Sequence, residues 1–135
     1  TTPPGTTSKH IGYFGDLMAT AAGLAGVDSP DNTDSVSFVP TITGNESDQV
    51  NHQFLYWEFY EQGGKQAVRA GNWKAIRMPW GTGKTRLYDL SSDISESNDL
   101  ADNQQDVVKR LEAMMATAHT PHPNWHPRGQ APSKK

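Results

Sequence analysis

A glutamate that lies among aromatic residues is the side chain of this sequence best suited to acid–base chemistry. Glu58 stands within residues 53–61 (QFLYWEFYE), where burial would raise the pKa of a carboxyl group and could make it a general acid. The alternative is an ion pair with Arg69 or Arg77 on a neighbouring strand, or another hydrogen-bonded arrangement. We favour the paired or hydrogen-bonded arrangement over the general acid.

The histidines near the end of the sequence are the residues best suited to binding a metal ion. His119, His122 and His126 lie in the segment HTPHPNWH. Metal-binding histidines on a helix stand four residues apart on one face, and the interleaved prolines prevent these three from sharing such a face. A surface tail whose Trp125 packs against the body of the protein is therefore favoured over a chelating loop.

A glycine-rich segment, residues 81–85 (GTGKT), resembles the end of a phosphate-binding loop. The complete pattern needs glycine at position 78, which is Met78 here, and a helix directly after the lysine. Residues 86–90 favour a strand instead. We therefore predict a flexible hairpin loop rather than a nucleotide site.

Tryptophan side chains could form a platform for a sugar, because aromatic faces suit ring-shaped substrates. Trp57 and Trp73 lie in strand-like segments, where we expect them to pack in the core. Trp80 lies in the glycine-rich connection and is the better candidate for exposure. Taken alone, these residues contain no nucleophile elbow, no adjacent carboxylate pair and no convincing metal site.

The composition excludes several classes of protein. The 135 residues suit one domain, and the absence of cysteine excludes disulfides, zinc–thiolate sites and a cysteine nucleophile within the chain. A net charge of -3 argues against nucleic-acid binding, and no apolar run reaches the roughly 18 residues of a membrane span. The sequence starts Thr1-Thr2-Pro3, from which we expect a mature product or an excised piece of a longer protein.

The first part of the sequence predicts one short helix followed by a long loop. Apolar residues recur at helical spacing over about residues 15–25, and Gly26 is suited to end that helix. Residues 28–52 are rich in Pro, Gly, Asp, Asn, Ser and Thr and are predicted to be a loop. So long a loop usually has a function or packs against something larger, which suggests a missing neighbouring surface. It contains Asn45-Glu46-Ser47, an N-glycosylation sequon that is weak without a secretory context.

The remainder predicts an α+β unit, in which a four-stranded antiparallel sheet is packed by a C-terminal helix. The strands are expected at residues 53–61, 65–70, 73–78 and 85–90, with a two-residue hairpin turn at Gly71-Asn72. Connections this short allow only antiparallel neighbours. The helix is predicted to be capped by Asp102 or Asn103 and to carry one apolar stripe, formed by Val107, Val108, Leu111, Met114, Met115 and Ala118.

Four segments resemble, in order, the C-terminal part of a type I sulfatase, of the arylsulfatase family in the alkaline phosphatase superfamily. They are residues 14–26 (FGDLMAT, then LAG), 34–44 (DSVSFVP, then G), 55–74 (LYWEF, then AVRAGNWK) and 87–101 (LYDL, then Asp93, Glu96, Asn98, Leu100 and Ala101). No single segment is specific, but the four in register cover roughly residues 10–118.

The resemblance implies an enzyme that hydrolyses sulfate esters with a formylglycine and a calcium ion held by carboxylate and amide oxygens. The formylglycine motif and the metal-binding and catalytic residues of the family lie upstream of the first matching segment. We therefore expect calcium and formylglycine outside this chain, and no catalytic residue or metal ligand within it. The chain is expected to be the non-catalytic C-terminal part of a sulfatase, inactive by itself.

The same resemblance predicts how the chain is divided and what it contacts. Residues 1–52 would be a connecting segment, residues 53–120 a C-terminal sulfatase subdomain and residues 121–135 a flexible tail. The partners would be the N-terminal catalytic domain of the same protein and a sulfated carbohydrate or aryl sulfate substrate, with no nucleic acid and no membrane. The family implies a periplasmic, secreted or lysosomal location, which the sequence itself does not reveal.

The subdomain is expected to form a wall of the substrate cleft. The candidate substrate-binding residues are His52, Tyr56, Trp57, Glu58 and Trp80. Two alternatives stay open: a stand-alone carbohydrate-binding or interaction module, and part of a related phosphodiesterase or phosphonate hydrolase.

Overall fold

The structure is a computed structural model that describes residues 2, 4–122 and 124. The chain divides into two compact units, residues 1–53 and 54–135, each with its own secondary structure. Among the described residues, no helix combines the length and the apolar character that a bilayer span requires.

The first unit begins with the helix that the sequence predicts. A 3-10 turn at Phe14–Asp16 leads into α1 (Leu17–Ala25), which ends at Gly26 with a φ of 69°. Glycine suits this left-handed backbone because it has no side chain to clash with the preceding carbonyl. The prediction of a helix at about residues 15–25 is confirmed.

The segment predicted as a loop, residues 28–52, contains regular structure, so that prediction is wrong in part. It includes α2 (Val39–Thr43) and a 3-10 turn at Glu46–Asp48. Pro40 lies in the first turn of α2, where its missing N–H costs no hydrogen bond, and Gly44 ends the helix with a φ of 87°. A helix of five residues is too short to give a helical period in the sequence.

The second unit contains the predicted antiparallel sheet. Its strands are β1 (Leu55–Phe59), β2 (Lys65–Ala70), β3 (Trp73–Arg77) and β4 (Thr85–Asp89), hydrogen-bonded in the order β1-β2-β3-β4. The turn between β2 and β3 lies at the predicted place, and of its two residues only Gly71 has a positive φ (59°). The four-stranded antiparallel order is therefore confirmed.

Side chains alternate along each strand and give the sheet two different faces. The face that packs against the C-terminal helix carries Tyr56, Glu58, Gln66, Val68, Ala70, Trp73, Ala75, Arg77, Thr85, Leu87 and Asp89. The opposite face, which we call the open face, carries Leu55, Trp57, Phe59, Lys65, Ala67, Arg69, Lys74, Ile76, Arg86 and Tyr88.

The C-terminal helix, α3 (Gln105–Ala118), closes one face of the sheet as predicted. Its stripe packs on the sheet in a core that includes Val68, Ala75, Leu87, Val108, Leu111 and Met115. The predicted cap is wrong, since the cap residue is Gln104 and it makes no side-chain cap hydrogen bond. Asp102 binds Lys84 instead, with 2.9 Å between Oδ1 and Nζ, because the chain turns once more before α3 begins.

Candidate functional site

A polar row crosses the helix-covered face at the end of the sheet where β1 finishes. The strand register places Glu58 beside Gln66, Gln66 beside Arg77, and Arg77 beside Thr85. The next row on this face is apolar and lies under α3, so the change from apolar to polar side chains marks the edge of the core. Polar side chains converging at the rim of a core are candidates for binding a ligand.

Glu58 is the centre of this polar row. The hydroxyl of Tyr60 donates a hydrogen bond to Oε2, and Nδ1 of His119 lies 2.7 Å from Oε1. Burial acts to raise the pKa of Glu58, but hydrogen bonds from Tyr60, His119 and Tyr56 outweigh burial and hold the pKa below its ordinary value. The general-acid expectation for Glu58 is therefore not supported.

The hydrogen-bonded arrangement of Glu58 is confirmed, but the predicted arginine partners are wrong. Arg77 pairs with Glu112 of α3, with 2.9 Å between Nη2 and Oε1, and Glu112 also accepts a hydrogen bond from Thr85 at 2.5 Å. Arg69 lies on the open face, and its Nε donates to the carbonyl oxygen of Gly71. Strand alternation decides this, because residues 58 and 69 lie on opposite faces.

Two tyrosines complete the surroundings of Glu58. Burial first, and then the negative charge of Glu58, raise the pKa of Tyr60 to about 12 and also raise the pKa of Tyr56. Nε2 of Gln66 donates a hydrogen bond to the hydroxyl of Tyr56 at 2.8 Å. Both phenols therefore stay protonated at neutral pH, and Tyr60 and Tyr56 act as hydroxyl donors beside one carboxylate.

Trp80 packs on this network from the connection between β3 and β4. Its ring packs edge-on against the rings of Tyr60 and His119, with 5.8 Å and 5.0 Å between the ring centroids. The connection is tied to the sheet, since the N–H of Gly81 donates to Oε1 of Gln66 at 3.2 Å. A Cβ on Gly64 would lie 2.6 Å from Cβ of Trp80, so glycine permits this close approach.

The tryptophan predictions are partly wrong. Trp80, predicted to be exposed, is half-buried, whereas Trp57, predicted to be in the core, has an exposed fraction of 40%. The core packing expected for Trp73 is confirmed. Trp57 is exposed because α3 covers only one face of the sheet, and Trp57 lies on the other.

His52 lies in the first unit, where it pairs with a buried carboxylate. Its Nε2 lies 2.9 Å and 3.0 Å from the two carboxylate oxygens of Asp16, which has no exposed surface. The N–H groups of Tyr13 and Val36 donate to the same carboxylate. Burial acts to raise the pKa of Asp16, but these hydrogen bonds outweigh it and lower the pKa.

Of the five residues predicted to bind substrate, the structure brings three together: Tyr56, Glu58 and Trp80. Trp57 lies on the open face, and His52 belongs to the Asp16 pair. Three further residues join this group, and sequence reasoning missed them: Tyr60, Gln66 and His119. We call the six residues together the Glu58 cluster. Strand alternation could have identified Tyr60, but nothing in the sequence places His119 beside Glu58, 61 residues away.

Two other sequence features have simpler roles. Residues 81–85 form part of a hairpin connection that leads into β4, as predicted, and Lys84 pairs with Asp102. His119 binds Glu58, whereas His126 and Trp125 lie outside the described residues. Within residues 2, 4–122 and 124, no group of three or more His, Asp or Glu side chains is placed to hold a metal ion.

The Glu58 cluster can orient an imidazole. Because a carboxylate accepts only, its contact with Nδ1 of His119 favours a proton on that nitrogen, and in the neutral imidazole Nε2 is then the acceptor. Nε2 has no hydrogen-bond partner among the described residues, and 22% of the side chain is exposed. This arrangement suits contact with a hydroxyl group.

Comparisons with known proteins point to one family. A family model described as N-sulphoglucosamine sulphohydrolase, C-terminal, matches residues 2–120. An uncharacterized sulfatase of Schizosaccharomyces pombe is 42% identical over 60 residues, which are 43% of this chain and 10% of that protein. The chain therefore spans a small part of this relative.

Solved structures share the same fold. A protein of Bacteroides thetaiotaomicron VPI-5482 classed as a sulfatase superimposes with a TM-score of 0.68 and 24% identity, over 76% of this chain and 23% of that one. A 2-O glycosaminoglycan sulfatase gives a TM-score of 0.66, also at 24% identity and with the same coverage. At these identities the likeness shows the fold alone, and the chain spans about a quarter of each structure.

Proposed function

The chain belongs to the N-sulphoglucosamine sulphohydrolase C-terminal family, and from this premise we propose that it is the non-catalytic C-terminal part of a longer sulfatase that hydrolyses sulfate esters. The observation that carries the proposal is the family match over residues 2–120, nearly the whole of the described chain. The N-terminal catalytic domain of the same protein would be its partner.

The contacts between the sulfatase-like segments support a role in completing the fold. Asp16 and Thr20 of the first segment accept hydrogen bonds from the N–H groups of Val36 and Phe38 in the second. Lys74 of the third segment pairs with Glu96 of the fourth at 2.5 Å. The residues that carry the resemblance therefore hold each unit together, which is the role expected of a structural subdomain.

The catalytic groups of the whole protein would lie outside this chain. The sequence has no cysteine from which a formylglycine could be made, and the described residues offer no group of ligands for calcium. We therefore assign neither calcium nor formylglycine to residues of this chain. In this proposal the chain helps to complete the fold of the longer protein and to bind its substrate.

The first unit has an exposed apolar surface that a catalytic domain could cover. Phe14 is 86% exposed and Leu24 is 61% exposed, and Leu17 and Met18 are also exposed. Exposed apolar groups along one side of a short helix and of the 3-10 turn before it are typical of a surface that another domain covers. We place the catalytic domain on this face of α1.

The substrate would be a sulfated carbohydrate, with the Glu58 cluster as part of the cleft wall. Support comes from the half-buried acceptor Nε2 of His119 beside the ring of Trp80, which suits a sugar hydroxyl and a sugar face. Solved structures with this fold include one in complex with D-glucosamine-2-N,6-O-disulfate and one with a neocarrahexaose. Sulfated glycans are therefore the first substrates to test.

A substitution of Glu58 in the longer protein tests the cleft assignment. We expect Glu58→Gln to lower kcat/KM on the best sulfated sugar by about tenfold or more, mainly through KM, because His119 loses the charge that orients it. Steady-state kinetics on a panel of sulfated mono- and oligosaccharides would measure this. Glu61→Gln is the matched control, since Glu61 is exposed and follows the same strand.

Two outcomes would contradict different parts of the proposal. Wild-type KM and kcat in Glu58→Gln would remove the Glu58 cluster from the cleft. A longer protein that hydrolyses phosphate diesters or phosphonates but no sulfate ester would instead support the related phosphodiesterase or phosphonate hydrolase.

A further inference from the structure

The open face of the sheet has a charge that differs from that of the whole chain. The chain carries a net charge of -3, yet the open face carries Lys65, Arg69, Lys74 and Arg86. Among the strand residues of this face, all of which the structure describes, none is acidic. The positive charge is therefore a local property of one surface.

Most of these cations have no carboxylate partner within the described residues. Lys74 is neutralised by Glu96. Lys65, Arg69 and Arg86 form no ion pair there, although Arg86 is near enough to Asp99 to contribute to lowering its pKa. Three cations are thus available to an anionic ligand at positions on β2 and β4.

Aromatic rings share this surface with the cations. Trp57 and Phe59 are 40% and 44% exposed, and they lie two residues apart on the edge strand β1. Nζ of Lys65 lies 5.8 Å from the centre of the Phe59 ring. The register places Trp57 and Arg86 on opposite ends of one row across four strands, a span of about 14 Å at the usual strand spacing.

We propose that the open face binds a sulfated polysaccharide chain, at a place separate from the Glu58 cluster on the other face of the sheet. Exposed rings stack on sugar rings, while Lys65, Arg69 and Arg86 pair with sulfate groups; guanidinium groups suit tetrahedral oxyanions because they donate in a fork. The choice of a sulfated ligand rests on the proposed function. The open face would hold one stretch of the polysaccharide while the sulfate ester to be hydrolysed lies elsewhere.

The pattern of side chains favours a polysaccharide over a protein partner. Protein interfaces are depleted in lysine, although arginine and aromatic residues are enriched there, so it is the lysines of the open face that argue against a protein partner. Here the ammonium group of Lys65 lies over the ring of Phe59, and Arg69 is diagonal to Trp57 in the strand register. A ligand that brings both apolar ring faces and closely spaced anionic groups satisfies this mixture without burying an unpaired charge.

Binding of the 135-residue chain to heparin tests the proposal without any enzymatic turnover. The chain is titrated with heparin, with fully desulfated heparin and with polyglutamate. It should bind heparin most tightly, and sodium chloride should weaken that binding. We expect Lys65→Gln combined with Arg86→Gln to weaken heparin binding by about tenfold, or about threefold for each exposed charge contact. Trp57→Ala should weaken it by about threefold or more.

The matched control is Lys109→Gln combined with Arg110→Gln, which removes the same charge from the exposed side of α3. It should change heparin binding by less than about twofold, while circular dichroism confirms that all variants are folded. Any one of four results would overturn the proposal. These are equal losses of heparin affinity in the two double variants, equal affinity for polyglutamate and heparin, unchanged heparin affinity in Trp57→Ala, and no heparin binding by the wild-type chain. An inactive longer protein with intact heparin binding would contradict only the proposed function.

Discussion

At the scale of single residues, two carboxylates organise the chain, the buried Asp16 in the first unit and the half-buried Glu58 in the second. Asp16 receives hydrogen bonds from two backbone N–H groups and from His52, and Glu58 receives them from Tyr60 and His119. In both cases the donors outweigh the effect of burial, so both pKa values lie below the ordinary range. Each carboxylate is therefore ionised at neutral pH, and its donors depend on that charge.

The Asp16 pair predicts how the stability of the first unit depends on pH. A lowered folded pKa means that Asp16 stabilises the fold above its ordinary value of 3.8, and that this contribution is lost as the pH falls through the folded pKa. Asp16→Asn should cost about 3 kcal/mol at pH 7, because it removes the charge and replaces one accepting oxygen by an NH2 group that faces other donors. Thermal unfolding followed by circular dichroism from pH 7 to pH 2 would measure both effects.

Asp31→Asn is the control for this substitution, because Asp31 is an exposed acid of the same unit. It should leave the unfolding free energy nearly unchanged at every pH. If Asp16→Asn loses no more stability than Asp31→Asn at pH 7, the Asp16 carboxylate does not organise the first unit.

At the scale of elements, the Glu58 cluster is assembled by two connections that approach each other closely. The turn between β1 and β2 carries Gly63 and Gly64, both with positive φ, and Trp80 of the β3–β4 connection lies against Gly64. The N–H of Trp80 donates to the carbonyl oxygen of Gly63 at 3.3 Å. The two connections therefore act together to hold the Trp80 ring on Tyr60 and His119.

This contact predicts different effects for two neighbouring glycines. Gly63→Ala should cost only about 1 kcal/mol for its positive φ, since a Cβ there meets nothing within 4 Å. Gly64→Ala adds a clash with Cβ of Trp80 and should cost about 2–4 kcal/mol in total. Thermal unfolding gives the free energies, and tryptophan fluorescence reports whether Trp80 has moved.

The difference between the two variants isolates the contact, because both share the same backbone strain. Similar losses of stability in Gly63→Ala and Gly64→Ala, with unchanged fluorescence in both, would mean that the connections are not coupled through Trp80.

At the scale of the whole molecule, the chain presents three distinct surfaces. The first unit exposes an apolar side of α1, and the second presents the Glu58 cluster on one face of its sheet and cations with aromatic rings on the other. Each surface has a different expected partner: a catalytic domain, a sugar at the cleft and a sulfated polymer. The chain covers 23% of one Bacteroides structure that shares its fold.

The 135-residue chain by itself is expected to be inactive. With calcium present, purified chain should hydrolyse an aryl sulfate no faster than buffer does, because its sequence has no cysteine to form the nucleophile. Release of the phenol followed by absorbance would measure this, with the longer protein as the positive control. Turnover above background that co-purifies with the chain would contradict the assignment as a non-catalytic part.

The sequence by itself determined the parts of this fold that depend on local pattern. Alternating aromatic residues, short turns such as Gly71-Asn72 and the stripe of α3 predicted four antiparallel strands and a closing helix, because these signals act over a few residues. The four sulfatase-like segments likewise identified the family. The short helix α2 escaped prediction because it is too brief to establish a period.

Only the tertiary structure decided which polar groups meet. Whether Glu58 binds an arginine or His119, and whether Trp57 or Trp80 is covered, depends on where α3 ends and which face it occupies. The physical reason is that a side-chain contact joins residues tens of positions apart, and its position is set by packing of whole elements rather than by neighbours in the chain. Sequence patterns specify the elements, and the docking of those elements creates the site.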